Sequence, residues 1–157
     1  KIKNRRTPVQ SWFLDLNLIL GYWGQGSQRA YHHTAPVNNI YALHESLLAV
    51  KNEGLESAWD RHQSNHEYLR DSLAEIGLSM TIDEAYRLPQ LNLVDIPEGV
   101  DDTHVRKQLL NEYNLEIGAG LGTLAGKVWR IGLMGESSNK KNVDICIAAL
   151  KSVLHKG

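Results

Sequence analysis

Apolar residues return at spacings of three and four along several stretches of the chain, and that period predicts helices. Over residues 11–23 the returning positions are Trp12, Phe13, Leu16, Ile19, Leu20 and Trp23, with glycines from Gly21 to Gly26 as a break, so a short buried helix is predicted. Residues 24–35 are rich in Gly, Gln, Ser and His and run into Pro36. That composition holds neither a helix nor a central strand, and a loop is predicted. A second helix follows, with Ile40, Leu43, Leu47 and Val50 on one face, stopped between Asn52 and Gly54. A third starts at once. Its inward face reads Leu55, Trp59, His62, His66, Leu69, Leu73 and Ile76, and Gly77 closes it.

Beyond Gly77 the period changes. Residues 78–82 and 90–96 carry alternating or β-branched apolar positions bounded by Asp83-Glu84 and Pro97-Glu98-Gly99, which predicts two strands. Asp101 or Asp102 caps a helix facing inward through Val105, Leu109 and Tyr113, and residues 115–117 and 128–133 read as two more strands. The last helix starts near Ser138 or Asn139 and buries Val143, Cys146, Ile147, Leu150 and Leu154. Helices alternating with short strands at this size predict an α+β fold, a small sheet with helices packed on one face.

Composition narrows the function classes. The chain has 157 residues, enough for one domain or one and a half at about 100 to 200 residues each. Seventeen basic against eighteen acidic residues give a net charge of -1, so no nucleic-acid or anionic-membrane partner is expected. The single cysteine, Cys146, excludes an internal disulfide framework and multi-cysteine zinc or iron–sulfur sites, and it favours a cytosolic protein. No apolar run approaches the roughly 18 residues of a bilayer span; the most apolar stretch carries Asp15 and Asn17. A soluble protein is expected. The chain opens on Lys1 rather than methionine, so it is expected to be a piece of something longer. Lys1, Lys3, Arg5 and Arg6 read as a solvated lead-in to Thr7-Pro8 rather than a nucleic-acid arm or a targeting signal. His155-Lys156-Gly157 is no peroxisomal signal, which leaves a cytoplasmic setting as the default, with a peroxisomal one open for a eukaryotic source.

Four constellations carry candidate chemistry. His62 and His66 stand one helical turn apart, a spacing that suits a shared metal, but Gln63 occupies the place where a zinc protease needs a glutamate. Packing histidines are the better reading, and no metal site is expected. The run from Gly118 to Lys127 fails the phosphate-loop pattern at Leu121 and Val128. It meets a loose dinucleotide fingerprint only where no helix can follow. A flexible loop between strands, open to close approach by a ligand, remains. Arg130 interrupts the apolar run Val128-Trp129-Arg130-Ile131-Gly132-Leu133. It is either a fork for a carboxylate or phosphate or a solvent-facing strand residue, and the pattern does not decide. Tyr31-His32-His33-Thr34-Ala35-Pro36 places a phenol, two imidazoles and a hydroxyl ahead of a helix. These groups suit anion binding or loop anchoring, and they form no catalytic triad.

Taken together, Phe13-Leu14-Asp15-Leu16, Tyr22-Trp23-Gly24, Tyr31-His32-His33-Thr34-Ala35-Pro36, Arg87-Leu88-Pro89 and Lys127-Val128-Trp129-Arg130-Ile131-Gly132-Leu133-Met134-Gly135 resemble the alanine-glyoxylate and serine-pyruvate aminotransferase family. These are class V, fold type I enzymes dependent on pyridoxal 5'-phosphate, and the glycine run Gly118 to Gly122 adds support. The resemblance implies that residues 1–50 are the end of a large domain, with a dimer-interface loop and the start of the connecting helices. Residues 51–157 would be the small C-terminal domain, with a mainly antiparallel sheet. It implies that Tyr31 and Thr34 reach across a homodimer interface to the cofactor phosphate, and that Arg130 binds the α-carboxylate of small amino acids and oxo acids. The family's reaction is ping-pong, moving an amino group from alanine or serine to glyoxylate or pyruvate. The Schiff-base lysine and the main phosphate loop lie upstream of Lys1, so the resemblance places no catalytic residue in this chain and implies that it is inactive alone. Two other classes stand beside this reading: a non-catalytic interaction or dimerisation module with the same fold, and a small anion-binding protein using the glycine loop and Arg130.

Overall fold

The computed structural model describes residue 2, residues 4–23 and residues 30–155. Lys1 and Lys3 of the basic start, residues 24–29 of the predicted loop and the terminal Lys156-Gly157 lie outside them. The chain divides into two compact units, Lys1–Ala49 and Val50–Gly157.

In the first unit, α1 (Leu16–Tyr22) begins at Asp15, whose side chain accepts the Asn17 backbone N–H at 2.9 Å. Residues 30–36 form neither helix nor strand. α2 (Val37–Glu53) then begins directly after Pro36. Both helices form where the period places them, but their burial differs from the expectation. No residue of α1 or α2 is buried, and Ile40, Leu43, Leu47 and Val50 all stand exposed. A stripe at helical spacing shows that a face is apolar; it does not supply a surface to cover it.

The second unit holds the core. Gly54, at φ +86°, separates α2 from α3 (Leu55–Glu75). Leu55 and Trp59 are exposed, so the inward face of α3 begins about two turns later than the pattern predicts, at His62, and continues through His66, Leu69 and Leu73. Gly77, at φ +78°, ends the helix, with Leu78 N–H donating back to the Leu73 carbonyl at 2.9 Å. β1 (Leu91–Asp95) and α4 (Asp102–Tyr113) follow, the latter capped by Asp101, which accepts the His104 N–H at 3.0 Å. β2 (Gly118–Ala119), β3 (Val128–Gly132) and α5 (Lys140–His155) complete the unit.

The sheet has the order β1-β3-β2 and is antiparallel throughout. Val94, Trp129 and Ile131 point into one core with Leu69 and Leu73 of α3, Leu109 of α4, and Val143, Cys146 and Leu150 of α5. Ile147 and Leu154, predicted as buried, are half-buried at its margin. Two predicted strands are not strands. Residues 78–82 contribute a single bridge, Met80 to Val94, because Asp83 at once opens a one-turn 3-10 helix at Glu84–Tyr86. Residues 115–117 fail because Asn114 takes a left-handed cap at φ 50° and Leu115 N–H donates to the Leu109 carbonyl at 3.1 Å, which commits that amide to the helix end. The ladder therefore starts later, at Gly118.

Polar groups fix the sheet to the helices. His66 Nδ1–H donates to Asn92 Oδ1 at 2.6 Å, and Asn92 in turn donates to the Ile131 carbonyl at 3.3 Å. Arg61 pairs with Glu53 and also donates to the carbonyls of Gly135 at 2.9 Å and Ser138 at 2.7 Å, holding the turn between β3 and α5. Trp129 Nε1–H donates to Asp102 at 3.0 Å, and the Asp102 carboxylate is gripped by Arg106 through two bonds of 2.8 and 3.1 Å.

Candidate functional site

Strand alternation decides how Arg130 is presented. Trp129 and Ile131 enter the core, so Arg130 between them projects from the opposite face of β3, the central strand, where it is half-buried. Its register partners are Leu93 on β1 and Gly118 on β2. Nε–H donates to the Ala119 carbonyl at 2.7 Å. Asp95, the carboxylate two positions from Leu93, is occupied by Ser79 Oγ at 2.9 Å and Thr81 Oγ1 at 2.7 Å. No carboxylate among the described residues forms an ion pair with Arg130, and its Nη groups have no partner there.

The glycine run differs from the flexible, ligand-approached loop that its composition suggests. Gly118 and Ala119 are strand, Gly120 N–H donates to the Val128 carbonyl at 2.9 Å, and Gly122–Leu124 is a 3-10 turn. A Cβ on Gly120 would lie 2.0 Å from the Leu124 carbonyl oxygen, so the close approach at this glycine is made by the loop's own backbone.

In the first unit, the Tyr31 hydroxyl and Thr34 Oγ1 are hydrogen-bonded at 2.6 Å, and both residues are exposed. His32 and His33 turn the other way. His32 packs against Trp12 with ring centroids 4.1 Å apart and His33 against Phe13 at 4.4 Å. His32 Nε2 and His33 Nδ1 are buried without a hydrogen-bond partner among the described residues. The motif thus splits into an aromatic anchor and an outward hydroxyl pair, so the anion-binding and anchoring readings belong to different side chains. Tyr31 and Thr34 are brought together; Arg130 belongs to the other unit. The Nδ1 atoms of His62 and His66 are hydrogen-bonded to the Ala58 carbonyl, at 2.6 Å, and to Asn92 Oδ1, also at 2.6 Å. No group of three or more metal-ligating side chains occurs among the described residues, and no helix among them is long and apolar enough to cross a membrane. The sequence marks Gly118 only as part of a glycine run; its place against Arg130 and the bond from Arg130 Nε–H to the Ala119 carbonyl depend on the pairing of β2 with β3 across a loop, which leaves no local signal.

This arrangement, an antiparallel three-stranded sheet backed by helices and following a long helical pair, is the one found in aminotransferase structures. A crystal structure of alanine–glyoxylate aminotransferase from Nostoc sp. matches with a TM-score of 0.87 and 55% identity, covering 97% of this chain and 40% of that one. One of ureidoglycine–glyoxylate aminotransferase from Bacillus subtilis matches with a TM-score of 0.88 and 37% identity, covering 98% and 39%. The alanine–glyoxylate aminotransferase of Callithrix jacchus is 39% identical over 156 residues, 98% of this chain and 38% of that protein. No family model matches the chain. Over nearly its whole length the chain is similar to the C-terminal portion of class V aminotransferases of the alanine–glyoxylate type. It spans about two fifths of their length.

Proposed function

We propose that the chain is the C-terminal portion of a cytoplasmic, homodimeric, pyridoxal-phosphate-dependent aminotransferase that moves an amino group from alanine or serine to glyoxylate or pyruvate. The observation that carries this reading is Arg130: a guanidinium fixed by one backbone bond on the central strand, with no carboxylate of its own and its Nη donors free among the described residues. Such a fork matches the planar carboxylate common to both amino donor and oxo acid. In this reading residues 1–50 close the large domain and residues 51–157 are the small domain.

The residues of the first unit fit a cofactor phosphate. Tyr31 and Thr34 offer two hydroxyls on one exposed surface, and their mutual hydrogen bond is exchanged for bonds to phosphate oxygens when both donate outward. His32 and His33, packed on Trp12 and Phe13, hold that segment in place beside them. The exposed faces of α1 and α2 suit contact with a second subunit, through which Tyr31 and Thr34 serve the partner's cofactor. Pyridoxal phosphate, when bound, supplies the electron sink for amino transfer. The present chain contributes binding and orientation, and its lysines take no covalent part. The isolated 157-residue chain supplied with pyridoxal phosphate is therefore expected to give no transamination of alanine and glyoxylate.

The test is Arg130→Ala and Arg130→Lys in the full-length protein. Loss of two charge-assisted hydrogen bonds predicts a rise of about 100-fold in KM for both alanine and glyoxylate, with Lys no substitute because it lacks the fork. Native KM values in both variants would overturn the assignment.

A further inference from the structure

An arginine meets a carboxylate either side-on, through Nε–H and one Nη–H, or end-on, through Nη1 and Nη2. In this fold the side edge is already engaged, because Nε–H donates to the Ala119 carbonyl at 2.7 Å. Ala119 lies in β2, hydrogen-bonded to β3, so that carbonyl cannot swing aside without breaking the ladder. Beneath the guanidinium is Gly118. A Cβ there would stand 3.2 Å from both Nε and Nη2 and 3.3 Å from Arg130 Cβ, and these are the three nearest atoms it would meet. Gly118 does not occupy the left-handed region, so its backbone accepts a side chain; the Arg130 side chain is what crowds one out.

We infer that Gly118 and the Ala119 carbonyl are positioning groups: Gly118 lets the guanidinium lie flat across β2, the carbonyl takes its Nε–H, and the substrate carboxylate is therefore held end-on by Nη1 and Nη2. This rests on the reading of Arg130 as the carboxylate-binding residue. A methyl at position 118 lifts or turns the fork while leaving the core untouched, so the cost falls on substrate binding rather than on folding.

Two measurements test it. In the full-length aminotransferase, Gly118→Ala is expected to raise KM for alanine and glyoxylate by about tenfold while kcat changes less than about twofold. The thermal midpoint of the 157-residue chain is expected to stay put; a purely structural role would lower it without separating KM from kcat. Should the variant fold poorly, the wild-type chain decides: titration with acetate, followed by arginine side-chain NMR, shifts the Arg130 Nη resonances and leaves Nε–H hydrogen-bonded. Acetate displacing Nε–H overturns the end-on geometry. If instead Arg130→Ala leaves KM untouched, it is the carboxylate reading of Arg130 that fails. An impaired Arg130→Ala beside a native Gly118→Ala sinks the positioning role alone.

Discussion

Cys146 sits on the inward face of α5 with 4% of its surface exposed, and burial pushes its thiol up to about 12. The nucleophile in thiol chemistry is the thiolate, and a buried, protonated sulfur supplies almost none. Ellman's reagent at about pH 8 is therefore expected to leave the native chain unlabelled and to titrate one thiol after unfolding in concentrated denaturant. Labelling of the native chain within minutes would show that the core around α5 opens. Gly120 makes the opposite kind of prediction at the same scale. With the Leu124 carbonyl only 2.0 Å from an added Cβ, Gly120→Ala forces backbone apart in the hairpin and is expected to cost about 2 to 4 kcal/mol in denaturant unfolding. Neighbouring glycines in one motif thus serve different ends: Gly120 serves the fold and Gly118 the guanidinium.

At the scale of elements, Asp102 joins α4 to the sheet, because its carboxylate takes both the Trp129 indole N–H and the Arg106 guanidinium. The hydrogen bond from Arg106 holds that carboxyl below the usual carboxylate range, against the opposing effect of burial. A lowered folded value means that the unfolded chain binds the proton more readily, so acid favours unfolding. The contribution is complete above the unfolded value near 3.9 and is lost as pH falls through the lower folded value. Asp102→Asn is expected to be less stable by about 1 to 3 kcal/mol at neutral pH, with the gap to wild type shrinking as pH falls below the unfolded value near 3.9. A gap that widens in acid would refute this role. Asp102 also marks where local pattern suffices and where it does not. Acidic residues ahead of an apolar period announce α4, and the helices of the second unit follow from their spacing. Residues 78–82 and 115–117 look like strands by composition yet are diverted, the first by the 3-10 helix that Asp83 opens and the second by the helix cap that claims Leu115 N–H, a competition invisible in apolar spacing. Arg130 was legible as an interruption of an apolar strand; its face, its tether to Ala119 and its clearance over Gly118 depend on a register fixed by pairing across the glycine loop. The Tyr31 and Thr34 hydroxyls were legible as a motif, but the opposite orientation of His32 and His33 depends on Trp12 and Phe13, twenty residues earlier.

At the scale of the molecule, the two units are unequally supported, and amide exchange reads that difference directly. The second unit surrounds Trp129, Leu69 and Leu150, all with no exposed surface, so its helices open only when the core does. α2 has backbone hydrogen bonds but no buried side chain, and a helix of its length without a covered face is marginal in water. In the isolated chain, amides of residues 37–49 are expected to exchange about a thousandfold faster than those of α5. Concentration separates the surfaces able to cover α2. If a second copy of this chain covers the exposed leucines and isoleucine, protection of residues 37–49 rises with chain concentration while α5 stays constant. If a different surface is needed, such as the rest of the proposed aminotransferase, protection stays low at every concentration of this chain and appears only in the proposed full-length protein. Slow exchange in the dilute, monomeric chain would contradict both, since it would mean that α2 is stable without any cover for its apolar face.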